Sequence, residues 1–360
     1  MSFELSSFFP PPRYLQMPAV GIDISDRSLK FVEIMEVKGE LRLGRFGKRT
    51  LPEGLIQAGE IKNKEKLAEF IKTNFQEVTG SFVVLALPEE KAYVSHISLP
   101  KLKKEEIRDA LELQLEEYIP LPASQAVFDY EVVSGEKEDH TDVVAVAFGR
   151  PLVENYLEVM KGAGLRPIVF ELEAEALRRA VLPRQANGTK MIIDFGRTRT
   201  SFIIVSEGVV RFTSTVGVAG EGLDRAIGRA LKVDAHEAER AKKEQGLVRT
   251  EKNKAIFNAI LPIVSAIKDE MLRHMAYWKN HAEHLHGGNT EIDILYLSGG
   301  DSNLTGFSDY LSYELKVPVK LASPWVNITD FERYIPEIAH NESLYYATAI
   351  GLALRSRYIV

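Results

Sequence analysis

Asp23 and Asp194 each stand at the mouth of a small-residue turn between two apolar runs. The first segment enters as Val20-Gly21-Ile22-Asp23-Ile24, turns through Ser25-Asp26-Arg27-Ser28, and leaves as Leu29-Lys30-Phe31-Val32-Glu33-Ile34. The second enters as Met191-Ile192-Ile193-Asp194-Phe195, turns through Gly196-Arg197-Thr198-Arg199, and leaves as Thr200-Ser201-Phe202-Ile203-Ile204-Val205. Both read as tight hairpins in a buried sheet. Small turn residues let backbone N–H groups approach a phosphate, and an aspartate can hold a hydrated Mg²⁺. Taken singly, each is a β-turn whose Asp bonds local backbone. As a pair they point to two related domains clamping one nucleotide.

Further chemistry is less specific. Ser298-Gly299-Gly300 follows an apolar strand, and its glycines would let a flat ligand lie against bare backbone; alone it is an ordinary strand-to-helix turn. Glu239 and Lys242 fall one turn apart on a helical stretch, which by spacing is a surface ion pair worth a few tenths of a kcal/mol. His281 and His284 are three apart without the acidic ligand pattern of a His-Glu-x-x-His site, so a solvated helix end is the reading. The chain has no Gly-x-Ser-x-Gly elbow, no Walker loop and no Gly-x-Gly-x-x-Gly fingerprint.

The elements around these residues fit two domains, the prior for 360 residues. A net charge of -6 gives no basic stripe, so nucleic acid is not an expected partner. The absence of cysteine excludes disulfides, cysteine-ligated metal and a cysteine nucleophile. No apolar run is long enough to span a bilayer, and residues 1–17, with Pro10-Pro11-Pro12, read as an extended tail. A cytoplasmic protein without direct membrane insertion is expected.

Residues 18–188 form the expected first domain. It carries a strand over 40–51, a helix over 64–72, and a strand buried on both faces at Phe82–Pro88. Residues from about 91 to 150 read as an inserted module of order strand-helix-strand-strand, its helix burying Ile107, Leu111 and Leu115 and exposing Glu105, Arg108, Glu112 and Glu116. Residues 189–342 form the expected second domain, with a cap at Asp234, a long helical stretch over about 251–283 broken at Pro262, and a strand over 292–297. Residues 343–360 supply a last apolar helix returning to the first domain.

The order of these segments resembles the actin-like ATPase superfamily, and within it the type IV pilus assembly family PilM, which is similar to the cell-division protein FtsA. The resemblance rests on Gly21-Ile22-Asp23-Ile24, Leu51-Pro52-Glu53-Gly54-Leu55-Ile56, Tyr118-Ile119-Pro120, Phe128-Asp129-Tyr130, Ala163-Gly164-Leu165-Arg166-Pro167, Ile193-Asp194-Phe195-Gly196, Leu297-Ser298-Gly299-Gly300 and Ala322-Ser323-Pro324-Trp325. It covers residues from about 18 to 354 and includes the FtsA-type insert. It implies an α/β, actin-like ATPase fold with ATP and Mg²⁺ in an interdomain cleft. Asp23 and Asp194 would lie near the metal. Ser25, Asp26, Arg27 and Ser28, with Lys30, and Gly196, Arg197, Thr198 and Thr200 would cradle phosphate. Glu239, Lys242, Gly299, Gly300 and Ser302 would contact the adenosine, Gly220 would border the ribose, and Glu173 would orient a water.

The expected function is a nucleotide-binding assembly adaptor with at most slow hydrolysis. Its expected partner is the N-terminal cytoplasmic peptide of a PilN-like inner-membrane protein, held along the seam between insert and first domain. That partner would place the protein peripheral to the inner membrane; self-association is a further possibility. Alternatives are an FtsA-like filament protein, against which the end at Val360 argues, and a small-molecule kinase of the same superfold. The family has Gly where Ser25 stands and Ser where Asp26 stands. A carboxylate about 4 Å from a phosphate oxygen is repelled by roughly 4 kcal/mol at an effective dielectric near 20. Asp26 must therefore point away, be bridged by Mg²⁺, or weaken binding.

Overall fold

The protein is described here from a computed structural model covering residues 18–133, 140–282 and 289–357. The N-terminal tail at 1–17, most of the polar turn after Val133, and His284 lie outside those residues.

The chain opens with a three-strand meander, β1 (Ala19–Ile24), β2 (Ser28–Val37) and β3 (Glu40–Thr50). A two-residue-strand hairpin follows, β4 (Ile56–Gln57) with β5 (Glu60–Ile61), then helix α1 (Lys64–Asn74). Strand β6 (Phe82–Leu87) returns parallel to β1, and five of its six residues are buried because both its faces are covered.

The insert comes next: β7 (Tyr93–Pro100), α2 (Lys104–Tyr118), β8 (Ala126–Val132) and β9 (His140–Gly149), in a sheet of order β7-β9-β8. Strand alternation gives this sheet two different faces. Ile97, Leu99, Val143 and Ala145 pack under Ile107 and Leu111 of α2. Val94, Val146 and Phe148, one residue out of phase, join the core of the first sheet instead. The charged residues of α2 face solvent as their spacing predicts.

Helix α3 (Arg150–Gly162), strand β10 (Arg166–Leu172) and helix α4 (Glu173–Val181) complete the first sheet, whose order is β10-β6-β1-β2-β3. The second sheet repeats the plan. Strands β11 (Thr189–Phe195), β12 (Thr200–Ser206) and β13 (Val209–Val216) form an antiparallel meander. Helices α5 (Gly220–Leu231), α6 (Ala235–Gln245) and α7 (Lys254–His281) cross over, and Asp234 caps α6 by accepting from the Glu237 N–H at 2.9 Å. Strand β14 (Ile294–Ser298) returns parallel to β11; α8 (Phe307–Leu315) and β15 (Val319–Leu321) finish an order β13-β12-β11-β14-β15. Each sheet is thus a meander flanked by two parallel strands, and the aspartate hairpins occupy equivalent positions in the two.

A short turn of helix, α9 (His340–Ser343), leads into α10 (Ala347–Arg355), which lies between β1 and α4. The contact is backbone to backbone. A Cβ on Gly21 would lie 2.1 Å from the Ala349 carbonyl, and one on Gly351 would lie 1.8 Å from that of Ala176. Glycine is required at both places for α10 to reach the sheet.

One expectation is corrected. Pro262 does not break the long helical stretch: α7 runs unbroken from Lys254 to His281 with the proline inside it. Pro262 is exposed, so water can satisfy the Asn258 carbonyl that loses its helical donor.

Candidate functional site

The two hairpin turns face each other across a cleft of about 450 Å³. Asp23 and Lys30 come from the first hairpin, Asp194 and the Gly196-to-Arg199 turn from the second, and Glu173 from the start of α4. Asp23 accepts a hydrogen bond from Lys30 Nζ at 2.5 Å, directly across the β1–β2 ladder. Burial works to lower the Lys30 pKa, but Asp23, Asp194 and Glu173 outweigh it and hold the ammonium charged. Asp194 is pushed up to about 6 by burial, with Lys30 opposing and Asp23 adding to the rise.

Both turns are closed by their own small residues. The Ser25 N–H donates to the Ser28 carbonyl at 2.9 Å, and Ser25 Oγ takes the Ser28 N–H at 3.2 Å. The serine hydroxyl thereby closes the turn from within. In the second turn the Gly196 N–H donates to the Arg199 carbonyl at 3.1 Å. The carbonyls of Gly196 and Arg197 then accept from Gly220 and Glu221 at the start of α5, at 3.0 and 2.9 Å. That seats the second turn on the N-terminus of α5, whose first N–H groups the turn's own carbonyls satisfy.

Glu173 is buried against Arg199, whose Nη2 donates to its Oε1 at 2.6 Å, while Nη1 of the same arginine donates to Glu90 at 2.9 Å. Burial pushes Glu173 up to about 8 against the pull of Arg199. Glu89, beside them, is pushed up to about 7 by burial and accepts from the Ala174 N–H at 3.1 Å.

Several sequence-predicted residues stand elsewhere. Asp26 turns away from the cleft; its carboxylate accepts from Ala58 N at 2.9 Å and Gly59 N at 3.1 Å in the β4–β5 turn. It does not line the cleft, because two backbone donors bind it on the far side. Lys242 is buried between Asp224, at 2.8 Å, and Asp301, so it acts as internal charge balance. Thr200 is fully buried with its hydroxyl on the Val218 carbonyl at 2.6 Å, and Ser302 Oγ is bound to the Ser298 carbonyl. Glu239 pairs with Lys243 at 2.8 Å and Arg197 at 3.4 Å, and does line the cleft.

The glycines have partners within the chain. A Cβ on Gly220 would meet the Asp301 carboxylate at 2.0 Å, and one on Gly300 would meet the Tyr345 ring at 1.9 Å. Gly299 has φ +86° and packs on Asp194 and Phe195. The bare backbone at Gly300 is therefore covered by the protein's own Tyr345.

Among the cleft residues that went unseen in the sequence are Lys48, Lys243, Asp301 and Tyr345. Lys48 had a signal. It lies directly opposite Lys30 on the β2–β3 ladder, and like charges placed so repel. Partial burial, then Lys30 and Lys243, hold its pKa down, a repulsion that an anion between them would relieve. Its ammonium rests 4.4 Å from the centre of the Tyr345 ring.

The donor set suits a magnesium nucleotide. Mg²⁺ needs one or two protein carboxylates, with water and phosphate completing its shell. Asp23 and Asp194 are the carboxylates that could fill that part, and Lys30, Lys48, Arg197 and Lys243 are cations in the same cleft that could meet phosphate. Among the described residues no group of three or more acidic or histidine side chains converges, so no all-protein metal cage is present.

Comparison with known proteins agrees with this architecture. The family profile described as type IV pilus assembly protein PilM matches residues 21–357. A solved PilM–PilN type IV pilus biogenesis complex is similar at 25% identity and a TM-score of 0.79, covering 95% of this chain and 99% of that one. MreB5 of Spiroplasma citri bound to AMPPNP is similar at 15% identity and a TM-score of 0.55, covering 94% and 96% of the two chains. The ethanolamine utilization protein EutJ of Carboxydothermus hydrogenoformans is similar at 16% and 0.53, covering 95% and 93%. The duplicated sheets with facing hairpins are therefore the actin-like ATPase fold. With the profile spanning nearly the whole chain, the protein belongs to the type IV pilus assembly protein PilM family.

Proposed function

We propose that this protein is a cytoplasmic adaptor of type IV pilus assembly that binds Mg-ATP in its cleft and the N-terminal cytoplasmic peptide of a PilN-like inner-membrane protein in a second groove. The observation that carries the reading is a cavity of about 900 Å³ along the seam between insert and first sheet. Val127, Val144, Val146 and Phe148 of the insert form one wall, and Phe170 and Leu172 of β10 with Arg178 and Arg179 of α4 form the other. Strands β8 and β10, which flank it, are the outermost strands of their sheets. An extended peptide is suited to such a place: unpaired strand edges offer main-chain hydrogen bonds and the apolar walls take alternate side chains. The PilM–PilN complex among the similar structures supports the choice of peptide. Among the described residues no helix is long and apolar enough to cross a membrane, so attachment through a partner fits.

In the cleft, Asp23 and Asp194 would hold the hydrated Mg²⁺, and Ser25, Ser28, Gly196 and Thr198, with Lys30, Lys48 and Arg197, would take the phosphates, while Arg199 is spent on Glu173 and Glu90. The nucleotide would supply a folding ligand shared by both halves. Glu173 would be the residue to orient a water, but Arg199 engages it at 2.6 Å. Burial, which pushes Glu173 up to about 8, also leaves it holding its own proton at neutral pH, so it is not free to take one from water and hydrolysis should fall well below about one turnover per second, the low end of ordinary enzymes. Calorimetric titration with Mg-ATP tests the cleft. Binding is expected, and is expected to vanish in Asp194→Ala; no heat up to millimolar ATP would refute it.

A further inference from the structure

The cleft and the seam groove share two elements. Helix α4 begins in the cleft at Glu173 and places Glu175, Arg178 and Arg179 in the groove. The β12–β13 meander of the second sheet does the same from the other side. Arg199, just before β12, crosses the cleft to Glu173 and Glu90. Val210, on β13, lines the groove, and the carbonyl of Arg211 meets His96 Nε2 of the insert at 2.5 Å.

Arg211 is also the extra residue of a β-bulge, for the ladder passes from Ile204↔Phe212 to Val205↔Val210. Bulges bend a strand and re-aim what it carries. The second sheet therefore closes the groove from behind at one end of this meander and grips the start of α4 at the other. A rotation of one sheet against the other would have to break the Arg199 bridges and withdraw Val210 from the groove together.

We propose that Arg199 is a latch across the cleft, through which nucleotide in the cleft and peptide in the groove strengthen each other's binding. The proposal rests on the assignment of the two ligands above. A nucleotide held by both hairpins favours the juxtaposition in which Arg199 reaches Glu90 and Glu173. The same juxtaposition keeps Val210 and Arg211 seated behind the groove. Coupling of this kind is reciprocal, so each ligand must change the other's affinity by the same factor.

The test uses the full chain, Mg-AMPPNP, and a labelled synthetic peptide copying the N-terminus of a PilN-like protein from the same organism. Peptide affinity is measured by anisotropy with and without saturating Mg-AMPPNP, and nucleotide affinity by calorimetry with and without peptide. In the wild type a tightening of fivefold or more is expected, equal in both directions. Arg199→Ala should bring the factor to within twofold of unity while both probes still bind. Glu90→Gln takes the charge from one bridge without changing shape; it should give an intermediate factor and stands in if Arg199→Ala does not fold. Binding of both probes without coupling in the wild type, weakening instead of tightening, or full coupling retained in both variants would overturn the latch alone. Failure of either probe to bind the wild type would overturn the ligand assignment and the latch with it.

Discussion

At the scale of single residues, chemistry was read from types and turned by contacts. The identities and spacing of Asp23, Asp194, Lys30 and the turn glycine Gly196 were legible, because paired hairpins leave a repeated sequence pattern. Asp26 was not, since its partners are backbone N–H groups of Ala58 and Gly59, more than thirty residues away. Its role as a brace for the β4–β5 turn leads to a specific expectation. Asp26→Ala should cost about 1–2 kcal/mol of stability in urea unfolding, through two lost charge-assisted bonds. It should change Mg-ATP affinity by less than threefold; a tenfold gain would restore the idea that Asp26 repels phosphate. Glu89 gives a pH test. Its folded pKa of about 7 lies above the ordinary carboxylate value because it is buried. Folding thus keeps its proton, and its contribution to stability is whole below about pH 4.5 and is lost as pH rises through about 7. Relative to wild type, Glu89→Gln should become progressively more stable between pH 5 and pH 8. A constant difference across that range would show that Glu89 is ionised in the folded protein.

At the scale of elements, periodicity served well where one face is buried and poorly where backbone decides. The insert helix was legible from Ile107, Leu111 and Leu115, each one turn apart and each buried. The unbroken α7 was not, because a proline tells only that a donor is missing, whereas exposure decides whether the missing bond matters. The seat of α10 was legible only in part: its apolar run announced a buried helix, but Gly21 and Gly351 did not announce which backbone they would touch. Gly21→Ala tests that seat. With the Ala349 carbonyl 2.1 Å from the new carbon, α10 must shift, and a loss of about 1–3 kcal/mol is expected in denaturant unfolding. An unchanged midpoint would mean that α10 is free to move off β1.

At the scale of the whole molecule, the duplicated sheet plan carries both proposed sites, because each is built from parts of both halves. The seam groove was foreseen as a place, since an insert between β6 and β10 must meet the first sheet along its edge. Its walls were not, because Val146 and Phe148 could be assigned to either face of the insert sheet until the register was known. The seam is also where the adaptor reading is most directly tested. Val127 lies exposed on the outermost strand of the insert and on the groove wall, so Val127→Glu should fold normally and place a charge where an apolar side chain would bind. Anisotropy titration of the PilN-like N-terminal peptide should give low-micromolar affinity for the wild type, roughly -8 kcal/mol, and at least tenfold weaker binding to Val127→Glu. Equal affinity for the two proteins, or no binding to the wild type at ten times that concentration, would contradict the assignment of this groove to the peptide.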